Sequence, residues 1–325
     1  MQNPSNLNSV MSRLHAKQLR LLIAVAEQGS LLAAADRVGL TQPGASKALK
    51  ELEATLNAEL FLRTNRGLVP TEAGKCAVRF ARLIQSDINN LRHELSAIAS
   101  GAGGKLAVGT IMGAVPLLTG ALSRLLEKQP DISIEIIEDT SESLLSLIDQ
   151  GRIDAAICRL SVSTRPHLYD SIVIKEESLA VIAHASHPAA ALPSIVLQDL
   201  STCRWVMYRA NMPMRRTLER EFFEENLFFP AQLIETTSAL ATLSLLSGNP
   251  KLIALVSDDV ADYVCQHGMV SRLPLRLKSR SEPYELISRR NAQKNPALDL
   301  LIDSLRSCPA GPQPDSFNSP SGSTC

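Results

Sequence analysis

The sequence predicts an α/β protein in two parts, a helical N-terminal module followed by a larger domain of two α/β lobes around a cleft. Three observations predict this. Apolar residues recur at helical spacing through residue 98, the run Ser100-Gly101-Ala102-Gly103-Gly104 then interrupts every pattern, and strand-like and helix-like stretches alternate beyond it.

The elements follow in order. Leu19, Leu22, Ile23 and Ala26 form one apolar stripe that ends at Gly29. Ser30 suits the N-cap of a short helix, Leu31 to Val38, which Gly39 stops. Thr41 can cap the next helix with Pro43 in its first turn, where a missing N–H costs nothing, and Ala45, Leu49, Leu52 and Leu56 carry that helix to about Asn57. Arg63 to Pro70 reads as a small two-strand turn. A long helix starts at Thr71 with Ala77, Phe80, Ile84, Ile88, Leu91, Leu95 and Ile98 on one stripe. That spacing approaches a two-helix seam and suggests pairing with a second copy, although the stripe could also lie on its own domain.

Past the glycines, apolar runs at Leu106–Thr110, Ile132–Ile137, Asp154–Cys158, Leu179–Ala183, Trp205–Tyr208, Leu252–Val256 and Tyr284–Ile287 read as strands. Helical stretches such as Pro116–Lys128, Glu142–Gln150, Met214–Glu225, Ala239–Ser247 and Asp258–His267 separate most of them. The expectation is a mainly parallel sheet with ligands at the carboxyl ends of its strands.

Composition narrows the function. The 325 residues are 45% hydrophobic and 20% charged, an ordinary globular mix. No run approaches the ~20 apolar residues of a membrane-spanning helix. Leu21–Ala26, the nearest imitation of a secretory core, is six residues long and meets Glu27 directly, whereas such cores run about 7–15 residues. A cytoplasmic protein without membrane contact is expected. Residues 1–100 hold 12 basic and 8 acidic side chains, while the remainder holds 21 and 25, so a basic module is carried by an acidic domain. The six cysteines are scattered without a CxxC pair and read as buried hydrophobes or loose tail thiols.

Leu31 to Lys50 fits a helix-turn-helix. Ala35 is small where two helices touch, and Gly39, four positions later, tolerates the left-handed turn. The second helix would lay its leading turn in the major groove, presenting Thr41, Gln42, Ser46 and Lys47. Gln42 can pair with adenine, Ser46 can serve base edges or phosphate, and the helix N-termini at Ser30 and Thr41 favour phosphate. Arg63 and Arg66 flank the two-strand turn and could reach phosphate or the minor groove. An ordinary helical hairpin with a solvated basic face would show the same spacing.

Residues 14–74 resemble the N-terminal winged helix-turn-helix of LysR-type transcriptional regulators. The resemblance is carried by Thr41-Gln42-Pro43-x-x-Ser46-Lys47-x-Leu49-x-x-Leu52-Glu53, then Leu60-Phe61-x-Arg63, then Thr71-x-Ala73-Gly74. It extends over the whole chain apart from the tails and looks nearest to regulators of sugar or aromatic-acid metabolism. It places Gln42, Pro43, Ser46 and Lys47 at recognition-helix positions and Arg63 and Arg66 in the wing. Gly44-Ala45 departs from the bulkier pair usual there. Composition predicts disordered tails over the Asn/Ser-rich residues 1–12 and the Pro-, Ser- and Gly-rich residues 308–325, and a hinge over 100–104. The resemblance implies a winged DNA-binding domain over 13–70, a dimerising linker helix over 71–99, and a periplasmic-binding-protein-like effector domain over 105–307, with lobe I about 105–174 and 274–307 and lobe II about 175–273. The implied mechanism is a homodimer or homotetramer on double-stranded promoter DNA. A small effector, an organic acid or a sugar, would alter subunit geometry, DNA bending and contact with RNA polymerase.

For the effector, strand ends nominate Thr110, Thr140, Arg159, Tyr208 and Thr237, whose hydroxyls and neighbouring helix N-termini would bind a carboxylate or a sugar hydroxyl. Plain helix capping accounts for the threonines equally well, and a surface ion pair for Arg159. His184 and His187 have HxxH spacing, but Pro188 follows and no acidic helix surrounds them, so no metal is expected. Neither a phosphate loop, a nucleophile elbow nor a metal helix is present, so no catalytic residue and no cofactor is expected. The alternatives are a solute-binding protein or a cytosolic α/β enzyme with a helical appendage.

Overall fold

The computed structural model describes residues 7–65, 67–100, 104–210, 212–290 and 295–306. It separates into two units, residues 1–102 with 146–153 and residues 103–145 with 154–325.

The first unit contains α1 (Leu7–Arg13), α2 (Ala16–Gln28), α3 (Leu31–Val38), α4 (Gln42–Leu56), β1 (Phe61–Thr64), β2 (Gly67–Pro70) and α5 (Glu72–Ser100). Each break is chemically specified. The Ser30 hydroxyl accepts from the Ala33 N–H at 3.4 Å, and the Thr41 hydroxyl accepts from the Gly44 N–H at 3.3 Å. Between them Gly39 turns the chain at φ 67°, a conformation that a side chain would strain. Ala34, Ala35 and Ala45 are fully buried, which lets α3 and α4 pack closely around Leu21, Leu22, Val25 and Leu52. α1 corrects the expected tail over 1–12: residues 7–12 are helical, because Val10 is half-buried and Leu14, directly after the helix, packs on this core. Residues 1–6 lie outside the described residues, as do 307–325, where the other tail is expected.

The strands β1 and β2 form an antiparallel hairpin, with Phe61 opposite Pro70 and Thr64 opposite Gly67. The start of α5 is then pressed against the chain before the hairpin. The Thr71 N–H donates to the Leu60 carbonyl at 3.0 Å, and the Thr71 hydroxyl accepts from the Gly74 N–H at 2.9 Å. A Cβ on Gly74 would stand 2.0 Å from the Leu60 carbonyl oxygen, so only glycine fits.

Beyond residue 103 the chain forms, in order, β3 (Lys105–Thr110), α6 (Val115–Lys128), β4 (Ser133–Glu138), α7 (Ser141–Asp149), β5 (Ala155–Cys158), β6 (Tyr169–Glu177) and β7 (Leu179–Ala183), all within the second unit except the end of α7 from Ser146. It continues with β8 (Arg204–Met207), α8 (Pro213–Glu224), β9 (Leu233–Glu235), α9 (Ala239–Gly248), β10 (Leu252–Ser257), α10 (Asp258–Gln266), β11 (Ser271–Arg272), β12 (Ser281–Arg289) and α11 (Pro296–Arg306). Two five-stranded sheets result, ordered β4-β3-β5-β12-β6 and β11-β7-β10-β8-β9. In the second sheet Val181, Ala183, Ile253 and Leu255 face one core with Trp205 and Phe222, while Ala180, Ile182, Ala254 and Val256 face another with Leu246 and Val264. Strands buried on both faces read as unbroken apolar runs, which is why the sequence reveals them.

The mainly parallel expectation is corrected to mixed sheets. β12 lies antiparallel between β5 and β6, and β7 lies antiparallel between β10 and β11. The cause is the path of the chain, which crosses from one sheet to the other after Glu177 and returns to enter β12 at Ser281. β6 therefore reaches Glu177 inside lobe I, three residues past the expected boundary at 174, and the lobe I sheet resumes at Ser281 rather than near 274.

Replacing Gly74 by Ala is expected to destabilise the first unit by about 1–3 kcal/mol, the usual cost of forced overpacking. Urea denaturation followed by circular dichroism measures the loss.

Candidate nucleic-acid interface and effector cleft

On α4, Gln42 and Pro43 are exposed in the capped first turn, Ser46 is half-exposed, and Lys47 and Lys50 project into solvent. Pro43, Ser46, Lys47, Lys50 and Ala54 share one shallow face. Lys47 makes only a loose 3.9 Å pair with Glu51, with both side chains mostly exposed, so its charge stays available. Lys50 was not among the expected residues, although its i+3 spacing from Lys47 is the signal that places it on this face. Ser30 is exposed at the start of α3 and Arg63 is exposed on β1. Arg66 lies outside the described residues.

In the second unit a cavity of about 510 Å³ opens between the two sheets. Four of the five expected effector residues line it: Thr140 and Arg159 from lobe I, Tyr208 and Thr237 from lobe II. Thr110 does not. Its side chain is fully buried, it is absent from the cavity wall, and its hydroxyl donates to the Ile111 carbonyl at 3.1 Å. Every residue of β3 after Lys105 is buried, so no alternation marks which way the last one turns. Glu138, Ser161 and Arg216 also line the cavity and were not anticipated. Glu138 ends β4 and Ser161 follows Arg159 by two residues, so the strand ends were the available signal for these two; Arg216, in the first turn of α8, had none.

Thr140 combines cap and wall. Its hydroxyl accepts from the Ser143 N–H at 3.3 Å, and its own N–H donates to Asp139 at 2.6 Å. The Ser141 hydroxyl accepts from the Arg159 N–H at 3.2 Å. Arg159 is not in a surface pair: it and Glu177 form an ion pair with side-chain exposures of 4% and 1%. The Tyr284 hydroxyl donates to the other oxygen of Glu177, and the Arg159 guanidinium stands 5.6 Å from the Tyr284 ring centre. The Ser257 hydroxyl donates to the Gly113 carbonyl at 3.1 Å. These groups come from the ends of β5, β6 and β10 and from β12, so a polar cluster sits where the chain passes between lobes.

Burial and the negative charge of Glu177 hold the Tyr284 phenol far above its ordinary range, so it remains a donor. Burial likewise raises Tyr208. Burial pushes the Cys158 thiol up to about 12, which leaves it inert at neutral pH. The HxxH pair serves the loop instead: His184 Nδ1 accepts from the Ser186 N–H and His187 Nδ1 from the Ala189 N–H, each at 3.1 Å.

Two family models match the chain. The bacterial regulatory helix-turn-helix protein of the lysR family covers residues 16–75, and the LysR substrate binding domain covers residues 99–308. The chain belongs to the LysR family of transcriptional regulators. Among its relatives is the HTH-type transcriptional regulator GbpR of Rhizobium radiobacter, 32% identical over 76% of this chain and 82% of that protein. The GbpR of Azospirillum brasilense is 28% identical over 91% and 86%. Full-length CbnR in complex with its target DNA has the same fold, with a TM-score of 0.61 at 23% identity over 90% of this chain and 99% of that one. The family role is DNA-binding regulation responsive to a small molecule, not catalysis. Among the described residues no helix is long and apolar enough to cross a membrane.

Replacing Glu177 by Ala strands the Arg159 charge and is expected to destabilise the effector domain by about 3–5 kcal/mol. The double replacement Arg159→Met with Glu177→Leu should recover much of that, as measured by denaturant midpoints.

Proposed function

We propose that this LysR-family member reads promoter DNA with the leading turn of α4 and senses a small effector in the cavity between its lobes. The observation that carries the first half is the capped, solvent-facing turn on which Gln42, Ser46 and Lys47 stand over a wholly apolar helix crossing. Gln42 reads a base edge, Ser46 and Lys47 hold base or phosphate, Pro43 starts the helix, and Ser30, Arg63 and Arg66 secure the backbone on either side. Thr140, Arg159, Tyr208 and Thr237 belong to the effector wall.

The protein acts as a homodimer or a dimer of dimers, and Phe80, Ile84, Ile88, Leu91 and Leu95 on α5 supply the contact. Their side chains are 37–58% exposed, a continuous apolar stripe that monomers rarely leave in water. The linker helix, the segment at 100–104 expected as a hinge, of which 101–103 lie outside the described residues, and the effector domain then couple ligand to DNA bending and to RNA polymerase in the cytoplasm.

Gln42→Ala is expected to relax preference at one base pair by about 1–3 kcal/mol while leaving non-specific affinity unchanged. Lys47→Ala should weaken all sequences and flatten the dependence of log Kd on log salt by about one unit. Gel shifts across a salt series on specific and scrambled duplexes separate the two. Replacing Ile88 and Leu91 by Asp should yield monomers in sedimentation velocity and lower affinity for a two-half-site duplex; unchanged assembly would remove the stripe from the interface.

A further inference from the structure

The charges around the cavity are mostly spent on the protein itself. Of its two guanidinium groups, Arg159 is bound to Glu177 beneath the wall. The N-terminus of α7, a natural place for a ligand carboxylate, already holds two of the chain's own: Asp139 accepts the Thr140 N–H at 2.6 Å, and Glu142 stands in the first turn. Thr140 and Ser141 have also given their oxygens to backbone N–H groups. What remains uncommitted is one carboxylate, Glu138, and one guanidinium, Arg216, neither in an ion pair among the described residues. Their charges cancel, and with Asp139 and Glu142 nearby the wall leans negative.

The uncommitted hydrogen-bonding groups are of both kinds. Glu138 can only accept, Arg216 can only donate, and the Thr237 hydroxyl does either. Tyr208, 5% exposed, donates at 3.5 Å to the sulfur of Met112, a weak acceptor, which leaves its oxygen lone pairs unused. Arg159, 4% exposed, keeps a buried Nε without a partner. Ile111, Met112, Val162 and Met214 supply apolar wall.

A wall that offers donors and acceptors together, apolar faces, and no net positive charge, since Arg216 is outweighed by Glu138, Asp139 and Glu142, suits a ligand whose own groups both donate and accept. From this we infer that the effector is a neutral polyhydroxylated compound of monosaccharide size, with Glu138 setting specificity by accepting two of its hydroxyls, and that carboxylated ligands are excluded. The inference rests on the reading of this cavity as the effector site.

The experiment is thermal denaturation of the full chain with three sets of probes. The first is D-glucose, D-galactose, L-arabinose and ribitol; the second is D-gluconate, D-galacturonate and benzoate; the third is L-serine and putrescine. The expected result is that at least one neutral polyol raises Tm in proportion to the logarithm of its concentration, while its acid counterpart does not. Glu138→Gln, on an exposed strand end, should keep the unliganded Tm and weaken that polyol about tenfold, the scale of one charge-assisted hydrogen bond. Binding by the acids, the amino acid or the amine without the polyols overturns the ligand class and leaves the effector site standing. A polyol whose affinity ignores Glu138→Gln overturns the role of that residue. Silence from all three sets overturns the effector-site reading and the inference with it.

Discussion

The buried pair of Arg159 and Glu177 is the constraint around which the effector domain is arranged. Two charges withdrawn from water are tolerated only when they are paired with each other, and here Tyr284 adds a hydrogen bond to Glu177 while the Ser141 hydroxyl fixes the Arg159 backbone, leaving the Arg159 Nε without a partner. The consequence reaches beyond stability. An arginine at a strand end beside a cavity would ordinarily make that cavity a trap for anions. Once its charge is spent inward, the wall is governed by Glu138, Asp139 and Glu142, and its polarity reverses.

The DNA-binding unit depends on short-range chemistry instead. Ser30, Gly39 and Thr41 lie within twelve residues, and together they fix where α3 ends and at what angle α4 begins. Ala34, Ala35 and Ala45 then set how near the helices come. Gly44, the departure from the bulkier pair usual in the family, sits beside the Thr41 hydroxyl that caps its own N–H; a Cβ there would approach that oxygen to 3.1 Å. The small residue thus favours the cap that presents Gln42, and little is lost so close to the helix end.

Local signals of this kind explain what could be read from sequence. Helices announced by caps and strands buried on both faces were legible within a residue or two, including α4, β3, β7 and β10. β6 was not, because it is an edge strand whose residues Asp170, Ser171 and Val173 face solvent and whose end is charged, so neither alternation nor an apolar run marks it. β9 and β11 have three and two residues, too few to carry a period. The direction of β12 depends on a crossing between lobes, which no local pattern encodes. Along the cavity wall, Thr140, Arg159, Tyr208 and Thr237 were reachable because they stand just past strand ends, where open α/β sheets form their crevice. The inward turn of Thr110 and the pairing of Arg159 with Glu177 depend on tertiary packing, and so were not.

The position of the polar cluster bears on how a ligand could be felt. Ser178 alone separates β6 from β7, and its carbonyl accepts the Asp258 N–H at 3.0 Å, so one lobe cannot rotate on the other without moving Glu177 and Ser257. A ligand shifts such an equilibrium only by its difference in affinity for the two arrangements. Reversing a 1:99 population takes about 5.5 kcal/mol of that difference. Neutral hydrogen bonds contribute roughly 0.5–1.5 kcal/mol each, so no single contact suffices. Several must form together, and they must come from both lobes, since contacts with one lobe alone survive any rotation unchanged. The wall meets that requirement. Glu138 and Thr140 stand on one lobe, Tyr208, Arg216 and Thr237 on the other, and a compact ligand touching both groups at once favours the closed arrangement by the sum of contacts that an open cleft would break.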